Sequence, residues 1–202
     1  MRGAAILPAM VWTRLRSLLK VPDLPEPTQV TLPTTHSAHG LAELTTQWHP
    51  RQLGVRVAGA PDLVIADASL PRLLATGLRP PRILASRRDA VTLTADGTSC
   101  PVDPGRRAKR RSTYVATATT GGHTYRLRPI AARRAELRRG DEVVGRFTSD
   151  RTGQPPASMS WTSDATAHDV AIGVLLSHAL GVGAHGVVRA ILSDVTDLFV
   201  PG

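Results

Sequence analysis

Apolar and polar residues alternate in short runs from residue 82 onward, and these runs recur at intervals of roughly 8–12 residues. The runs are typical of β-strands and comprise residues 83–86, 90–95, 113–119, 124–128, 135–138, 143–148 and 157–161. Asp96-Gly97 and Gly121-Gly122 suit tight hairpin turns, and Gly140-Asp141 marks a further turn. Parallel pairing would need crossovers of about a dozen residues or more, which these gaps do not allow. The pattern therefore predicts an antiparallel meander.

Upstream of these runs the pattern is mixed. Leu53–Val57 and Leu63–Ala66 have the composition of strands, whereas Leu41–Trp48 is predicted to form a short helix. A further helix is predicted over Ser69–Thr76, with a serine as its N-cap and Gly77 as its stop signal. Helices and strands in one chain, with the strands antiparallel, predict an α+β fold.

The N-terminal part differs from the rest of the chain. Residues 1–20 combine apolar and basic residues at a spacing that suits a short amphipathic helix, either on a membrane surface or docked on the core. Basic residues follow the apolar run and no small-residue cleavage site comes after it, which argues against a secretory signal. Residues 22–36 contain four prolines and predict an extended linker. We therefore divide the chain into an N-terminal amphipathic segment with a Pro-rich linker (1–36) and a single α+β domain (37–202).

The last strand-like run is followed by residues 170–183, which are apolar on every face of a helix. A helix without a polar face is buried on all sides. Thr166 and Asp169 have the spacing of a capping box at its start, and Gly181 is expected to end it. The uncharged run from Val170 to Val188 has 19 residues, near the length of a membrane span, but its glycines and histidines favour a buried helix.

Two further expectations concern the C-terminal region. Val174 and Leu175 point in different directions on the helix, so both can be fully buried only if the helix is surrounded. A second short helix is predicted from Gly186, because apolar residues recur there at helical spacing, with Arg189, Asp194 and Asp197 off the stripe. The stripe consists of Val187, Val188, Ile191, Leu192, Val195, Leu198 and Phe199.

Short antiparallel strands before an apolar C-terminal helix resemble the tubby-like C-terminal fold, which LURP-one-related proteins and phospholipid scramblases share. The resemblance is carried by residues 142–148 (EVVGRFT), 156–161 (PASMSW) and 169–180 (DVAIGVLLSHAL), and it covers about residues 82–181. It implies a β-barrel around one hydrophobic helix. Phosphoinositide binding is known for tubby proteins, but no single residue here inherits it. About 20 residues follow the helix, and fewer strands are visible than the family's twelve unless residues 28–66 supply the rest.

Composition changes this picture in two ways. Hydrophobic residues make up 42% of the chain but aromatic residues only 3%, so the core must be built from aliphatic side chains. The formal net charge is +9, and residues 79–151 alone contain 17 basic and 7 acidic residues. A local positive field of this kind favours phosphate-bearing partners. Because nearly all the cations are arginine and alanine is abundant, the codon bias of a GC-rich genome is an alternative explanation of the charge.

The densest charge is a predicted loop between residue 105 and the strand that follows it. Its five cations fall within six residues: Arg106, Arg107, Lys109, Arg110 and Arg111. Such a loop can contact several phosphates at once, and its affinity would then fall with salt. The candidate partners are an anionic membrane surface or nucleic acid, and a merely solvated loop stays open. If the loop makes no contact, we expect the contact around Arg133, Arg134, Arg138 and Arg139.

No catalytic motif is recognisable in the sequence. It contains no Gly-x-Ser-x-Gly elbow, no phosphate-binding loop, no dinucleotide fingerprint and no zinc-protease motif. Cys100 is the only cysteine, which excludes an intrachain disulfide and fits a reducing cytoplasm. His178 and His185 are seven residues apart, but the glycines between them argue for a buried or capping role rather than metal binding. Asp164, His168 and Asp169 are expected to cap the helix.

We therefore predict a non-enzymatic, cytoplasmic or peripheral membrane-binding domain without a cofactor or metal. Its basic face would engage anionic lipid headgroups or another acidic surface. One alternative is a nucleic-acid-binding protein without sequence specificity, since no base-reading motif or aromatic stacking platform is present. A second alternative is an enzyme whose site is assembled from residues far apart in the sequence.

Overall fold

In the described part of the chain, the fold consists of two six-stranded antiparallel sheets and one α-helix. The computed structural model describes residues 28–33, 39–47, 51–67, 90–105 and 111–184. The first sheet contains β1 (Thr28–Pro33), β2 (Leu41–Gln47), β3 (Arg51–Val57), β4 (Leu63–Asp67), β5 (Val91–Ala95) and β6 (Thr98–Cys100). The second contains β7 (Val102–Asp103), β8 (Ala116–Thr120), β9 (His123–Ala131), β10 (Arg134–Arg139), β11 (Glu142–Thr148) and β12 (Ser158–Trp161). A 3-10 helix, Arg111–Tyr114, precedes β8, and helix α1 spans Ala167–Leu180.

The predicted antiparallel meander is confirmed. In each sheet every strand pairs with its neighbour in chain order, and the described strands of the two sheets form two separate ladders rather than one closed ladder. At the β5–β6 turn Asp96 and Gly97 have φ of 48° and 77°, and at the β8–β9 turn Gly121 and Gly122 have φ of 59° and 77°. Positive φ at both central residues is the geometry of the two-residue hairpin turn that such sequences favour.

The N-terminal half requires two corrections. The predicted helix over Leu41–Trp48 is wrong, because Leu41–Gln47 is strand β2, with Ala42 and Leu44 buried at alternate positions. Pairing with a strand on each side outweighs the helix propensity of this short segment. Residues 28–33, assigned to the linker, form β1 and pair with β2. Its proline is tolerated because Pro33 ends an edge strand.

Two differences are smaller. The predicted strand over 113–119 begins at Ala116, because Arg111–Tyr114 forms the 3-10 helix instead. The short strands β6 and β7 have no alternating pattern long enough to predict. The amphipathic segment 1–20, the helix over 69–76, the strand over 83–86 and the second C-terminal helix lie outside the described residues.

Helix α1 packs between the sheets, contacting β2, β3 and β4 on one side and β9 and β11 on the other. All of its residues except His168 and His178 are buried, and Val174 and Leu175 have no exposed surface. Each fully buried Val, Leu or Ile side chain contributes about 1.5–3 kcal/mol to folding, so enclosure of this helix is a major part of the core. In the described part of the chain no helix is long and apolar enough to cross a membrane.

Trp161 anchors the entry to the helix. The strands β11 and β12 are neighbours, with Gly145 opposite Trp161. The indole packs edge-on against Phe147, with ring centroids 5.4 Å apart, and closely approaches the backbone of Gly173 in the helix. A Cβ on Gly173 would lie 2.7 Å from the indole. Glycine at this position therefore allows the helix to lie against the aromatic pair.

Both ends of α1 follow the predicted signals. The Thr166 hydroxyl accepts from the backbone N–H of Asp169 at 3.2 Å, and the Asp169 carboxylate accepts from the N–H of Thr166 at 2.7 Å. These two bonds form a capping box with aspartate in place of the usual glutamate. At the other end Gly181 has φ of 77°, and its N–H donates to Ser177 O at 3.0 Å.

The four residues after the helix, Gly181–Ala184, are buried between two loops and are called the exit segment below. Val182 exchanges backbone hydrogen bonds with the β11–β12 loop, and the N–H of Ala184 donates to Ala131 O at 3.3 Å. Gly183 packs directly on the backbone of Ala132 in the β9–β10 turn. The exit segment therefore leads the chain to the end of β9.

The first prediction tests this contact. Gly183 has φ of 77°, and a Cβ there would lie 2.1 Å from Ala132 O. Gly183→Ala is therefore expected to lower the free energy of unfolding by about 3 kcal/mol or more. The control is Gly140→Ala, where φ is 61° but no atom lies within 4 Å, and about 1 kcal/mol is expected. Urea unfolding followed by tryptophan fluorescence measures both, and equal losses would contradict the packing of the exit segment.

Candidate functional site

The predicted cationic loop lies mostly outside the described residues. Arg106, Arg107, Lys109 and Arg110 are not described, and Arg111 begins the 3-10 helix without a described side chain. Its role in anion binding stays a prediction. The neighbouring Ser112 lines an open groove on the second sheet. The last residue of the loop therefore directly precedes, in the sequence, a residue that lines the groove.

Strand alternation places arginines on the outer face of the second sheet. In β9, Tyr125 and Leu127 are buried, whereas Arg126 and Arg128 are exposed. Their side chains alternate because successive residues of a strand face opposite sides of the sheet. Arg138 of β10 and Arg146 of β11 lie on the same outer face, with Glu136 between them. We call these five residues the basic face: Arg126, Arg128, Glu136, Arg138 and Arg146.

The strand register determines how these charges meet. Arg126 lies opposite Arg138, while Glu136 lies opposite Arg128 on one side and Arg146 on the other. Like charges directly opposite one another destabilise a sheet. The basic face therefore keeps a repulsive pair, and Glu136 is the one acidic residue among its five members.

Only one of the four arginines is held by the protein within the described part of the chain. Arg138 donates to Glu136 Oε1 at 2.9 Å and to Asp141 O at 3.0 Å. The side chains of Arg126, Arg128 and Arg146 have no hydrogen-bond or ion-pair partner among the described residues. Among the described residues, these three groups therefore have no contact that binding of an anion would break.

A groove of about 880 Å³ runs over the basic face. Arg126, Arg128 and Arg138 line it together with Asp141, the half-buried Val115, the buried Pro129 and the exposed Ile130. Ile130 is 41% exposed and is the exposed large hydrophobic residue of the described chain. The groove thus combines three guanidinium groups with apolar surface, which suits a ligand that is both anionic and apolar.

A second polar cluster lies inside the fold at the start of α1. Asp169 is fully buried, and its carboxylate accepts from Tyr125 Oη at 2.9 Å and from Arg139 Nη1 at 2.8 Å. Arg139 also pairs with Glu142 at 3.2 Å and lies 3.7 Å from Asp164. Burial and the charge of Asp169 raise the pKa of Tyr125, so its phenol stays protonated. Because both carboxylate oxygens are engaged by the fold, this cluster is structural and confirms the capping role of Asp169.

The histidines also have structural contacts. The His168 ring stacks on Tyr125 with centroids 5.7 Å apart and lies against Gly121. His178 Nδ1 donates to Val174 O at 2.8 Å within α1, while His185 lies outside the described residues. Among the residues that the structure describes, no group of three His, Cys, Asp or Glu side chains could hold a metal ion.

Sequence reasoning found only part of this site. The sequence analysis offered a second cluster of arginines, residues 133, 134, 138 and 139, as an alternative contact, and of these only Arg138 lines the groove. Arg133 instead donates to Asp150 O, and Arg139 donates to Asp169. Arg134 is exposed but does not line the groove. The alternation of Arg126 and Arg128 in β9 is visible in the sequence. Their position opposite β10 and β11 depends on the register, which the sequence alone does not give.

Comparison with protein-family models, with curated proteins and with solved structures finds no match to this chain.

The second prediction concerns pH. Burial lowers the pKa of His168 and of His178 below the ordinary histidine value of about 6.5. Below about pH 6.5 the unfolded chain therefore binds protons that the folded chain does not, so the free energy of unfolding falls as the pH decreases. Urea midpoints at pH 7.5 and 5.5 measure this loss. The variant His168→Gln/His178→Gln is expected to lose less over this interval, and an equal loss in both proteins would contradict the assignment.

Proposed function

We propose that this chain is a non-enzymatic domain that binds anionic lipid headgroups at a membrane surface through its basic face. The observation that carries the proposal is the groove in which Arg126, Arg128 and Arg138 lie beside the exposed side chain of Ile130. Peripheral attachment at the cytoplasmic side of a membrane is the location that this function would require.

The charge alone is sufficient for a measurable interaction. Each cation close to an anionic membrane contributes about 1 kcal/mol, so the four arginines of the basic face would together contribute several. Arg126 and Arg128 have no partner among the described residues that they would have to leave. The cationic loop 106–111 directly precedes Ser112, which lines the groove, and would extend the contact.

Ile130 favours a lipid surface over nucleic acid. An apolar side chain beside cations can enter the boundary between headgroups and acyl chains, which adds hydrophobic burial to the electrostatic attraction. Proteins that bind single strands without sequence preference instead stack bases on aromatic side chains. Among the described residues that line the groove, none is aromatic. The lipid surface is therefore the better fit.

We also propose that the fold is tubby-like. The buried apolar helix packed between antiparallel strands supports this resemblance. Phosphoinositide binding by tubby proteins is consistent with the lipid hypothesis.

The third prediction tests the basic face directly. Arg126→Gln/Arg128→Gln is expected to weaken binding to vesicles of neutral and anionic phospholipid roughly 30-fold at about 50 mM salt, because two cations worth about 1 kcal/mol each are lost. Folding stability should change by less than about 0.5 kcal/mol, since both side chains are exposed. Arg56→Gln/Arg151→Gln removes the same formal charge elsewhere and is the charge control, although it also breaks the ion pair of Arg56 with Asp62. Vesicle flotation measures the affinity, and equal losses in the two variants would contradict a site on this face.

Further variants and ligands distinguish lipid binding from nucleic-acid binding. Alanine at all five cations of the loop should weaken vesicle binding further while leaving thermal stability nearly unchanged, because isolated surface charges contribute little to folding. Ile130→Ser should weaken binding to vesicles but not to duplex DNA. Binding of the wild type to DNA and not to anionic vesicles would favour a nucleic-acid-binding protein. Binding to neither at about 50 mM salt would overturn the proposal.

A further inference from the structure

Ser112 brings a hydroxyl group to the groove of the basic face. It belongs to the 3-10 helix Arg111–Tyr114 and is exposed. The groove that it lines is also lined by Arg126, Arg128 and Arg138. Among the described residues, the Ser112 hydroxyl has no hydrogen-bond partner. A chemical group added to this oxygen would therefore lie in a groove lined by arginines without breaking a described contact.

The charge of the groove fits a doubly charged anion. Three arginines and Asp141 line it, which is a formal net charge of +2. A phosphate ester on a serine carries a charge of about −1.5 to −2 at pH 7 and presents strong acceptor oxygens. Guanidinium groups bind such oxygens through charge-assisted hydrogen bonds, often two at a time. A phosphate on Ser112 would therefore neutralise the groove.

The strand register favours an anion between the arginines. Arg126 lies directly opposite Arg138, and like charges in this arrangement repel one another. A phosphate between the two guanidinium groups would replace this repulsion with an attraction to each of them. Arg128 lies about 7 Å further along the same face of β9, so it can contribute a third contact.

The sequence before Ser112 has the charge pattern that some protein kinases select. Residues 109–111 are Lys-Arg-Arg, so three cations directly precede the serine. Kinases choose substrates partly by charge, and an acidic substrate cleft selects a serine that follows basic residues. Ser99 is also exposed, but Gly97 and Thr98 precede it. The basic sequence pattern and the arginine-lined groove therefore coincide at Ser112.

We infer that Ser112 is a phosphorylation site and that its phosphate binds the arginines of the groove in place of an anionic surface. A protein kinase would transfer the terminal phosphoryl group of a nucleoside triphosphate to Ser112 Oγ. The Oγ–P bond forms, the bond from phosphorus to the nucleoside diphosphate breaks, and the hydroxyl proton passes to a base of the kinase. Phosphorylation releases polybasic segments from membranes in this manner. The release rests on the proposed function, whereas the pairing of the phosphate with the arginines does not.

Phosphorus NMR of the full chain tests the pairing without any lipid. Phosphoserine is incorporated in place of Ser112 or, as the control, in place of Ser99 on the other sheet. The second pKa of a phosphoserine is ordinarily about 6, and guanidinium groups favour the dianion, so at residue 112 this pKa should be lower by about 0.5 or more. Adding Arg126→Gln/Arg128→Gln should return it to the control value. Equal pKa values at residues 112 and 99, or no change with the arginine substitutions, would overturn the pairing.

A kinase assay tests the modification itself. The full chain is incubated with ATP and a serine/threonine kinase that selects basic sequences, and mass spectrometry locates the phosphate. Ser112→Ala is expected to lower incorporation about tenfold or more, whereas Ser99→Ala should keep the wild-type level. Equal incorporation in Ser112→Ala and the wild type, or no phosphate at residue 112, would overturn the assignment of this site.

Vesicle binding tests the release. Phosphoserine at residue 112 should weaken binding to vesicles of phosphatidylcholine and phosphatidylserine roughly 30-fold at about 50 mM salt, because about two positive charges are neutralised. Phosphoserine at residue 99 adds the same charge elsewhere and should weaken binding by no more than about threefold. Equal weakening by both would overturn the release. A lowered pKa at residue 112, together with no vesicle binding by any form, would support the pairing and reject the proposed function.

Discussion

The buried carboxylate of Asp169 joins the helix to the second sheet, and the rest of the fold depends on that junction. The side chain completes the capping box with Thr166 and accepts from Tyr125 and Arg139 at the same time. A buried charge is tolerated only when it is paired and hydrogen-bonded. These three donors therefore hold the first turn of α1 at a fixed position against β9 and β10.

A helix without a polar face must be covered by other parts of the protein on all sides, and a sheet on each side of α1 provides this cover. Strands on both sides cover α1, while Gly173 admits the Trp161 and Phe147 rings and Gly183 admits the backbone of Ala132. The inner faces of the sheets are fixed by this packing. Because side chains alternate along a strand, the outer positions are fixed as well. The basic face is thus a consequence of how β9 and β10 cover the helix.

Turns and helix caps, which depend on a few neighbouring residues, are predicted correctly from the sequence. Features that depend on strand pairing are not. The hairpin turn at Gly121-Gly122, the capping box at Thr166 and the stop at Gly181 are local signals, and all three are observed. The helix prediction fails at Leu41–Gln47 because a seven-residue segment that contains alanine, glutamate and leucine fits a helix as well as a strand. Similarly, no local sequence pattern indicates that Arg126 lies opposite Arg138. The densest cluster of charge is easy to find in a sequence, whereas a face assembled from three strands requires the register.

Codon bias would account for the number of arginines in the chain, but it would not account for how they are paired. In the described part of the chain, Arg139 has three carboxylates around it, Arg56 pairs with Asp62, and Arg138 pairs with Glu136. Arg126, Arg128 and Arg146 have no carboxylate partner among the described residues, although they lie on strands next to β10, which carries Glu136. A bias acting on composition alone would not gather such arginines on one face of the sheet, two of them beside the exposed Ile130. The distribution of charge, rather than its amount, is therefore the physical argument for a binding face.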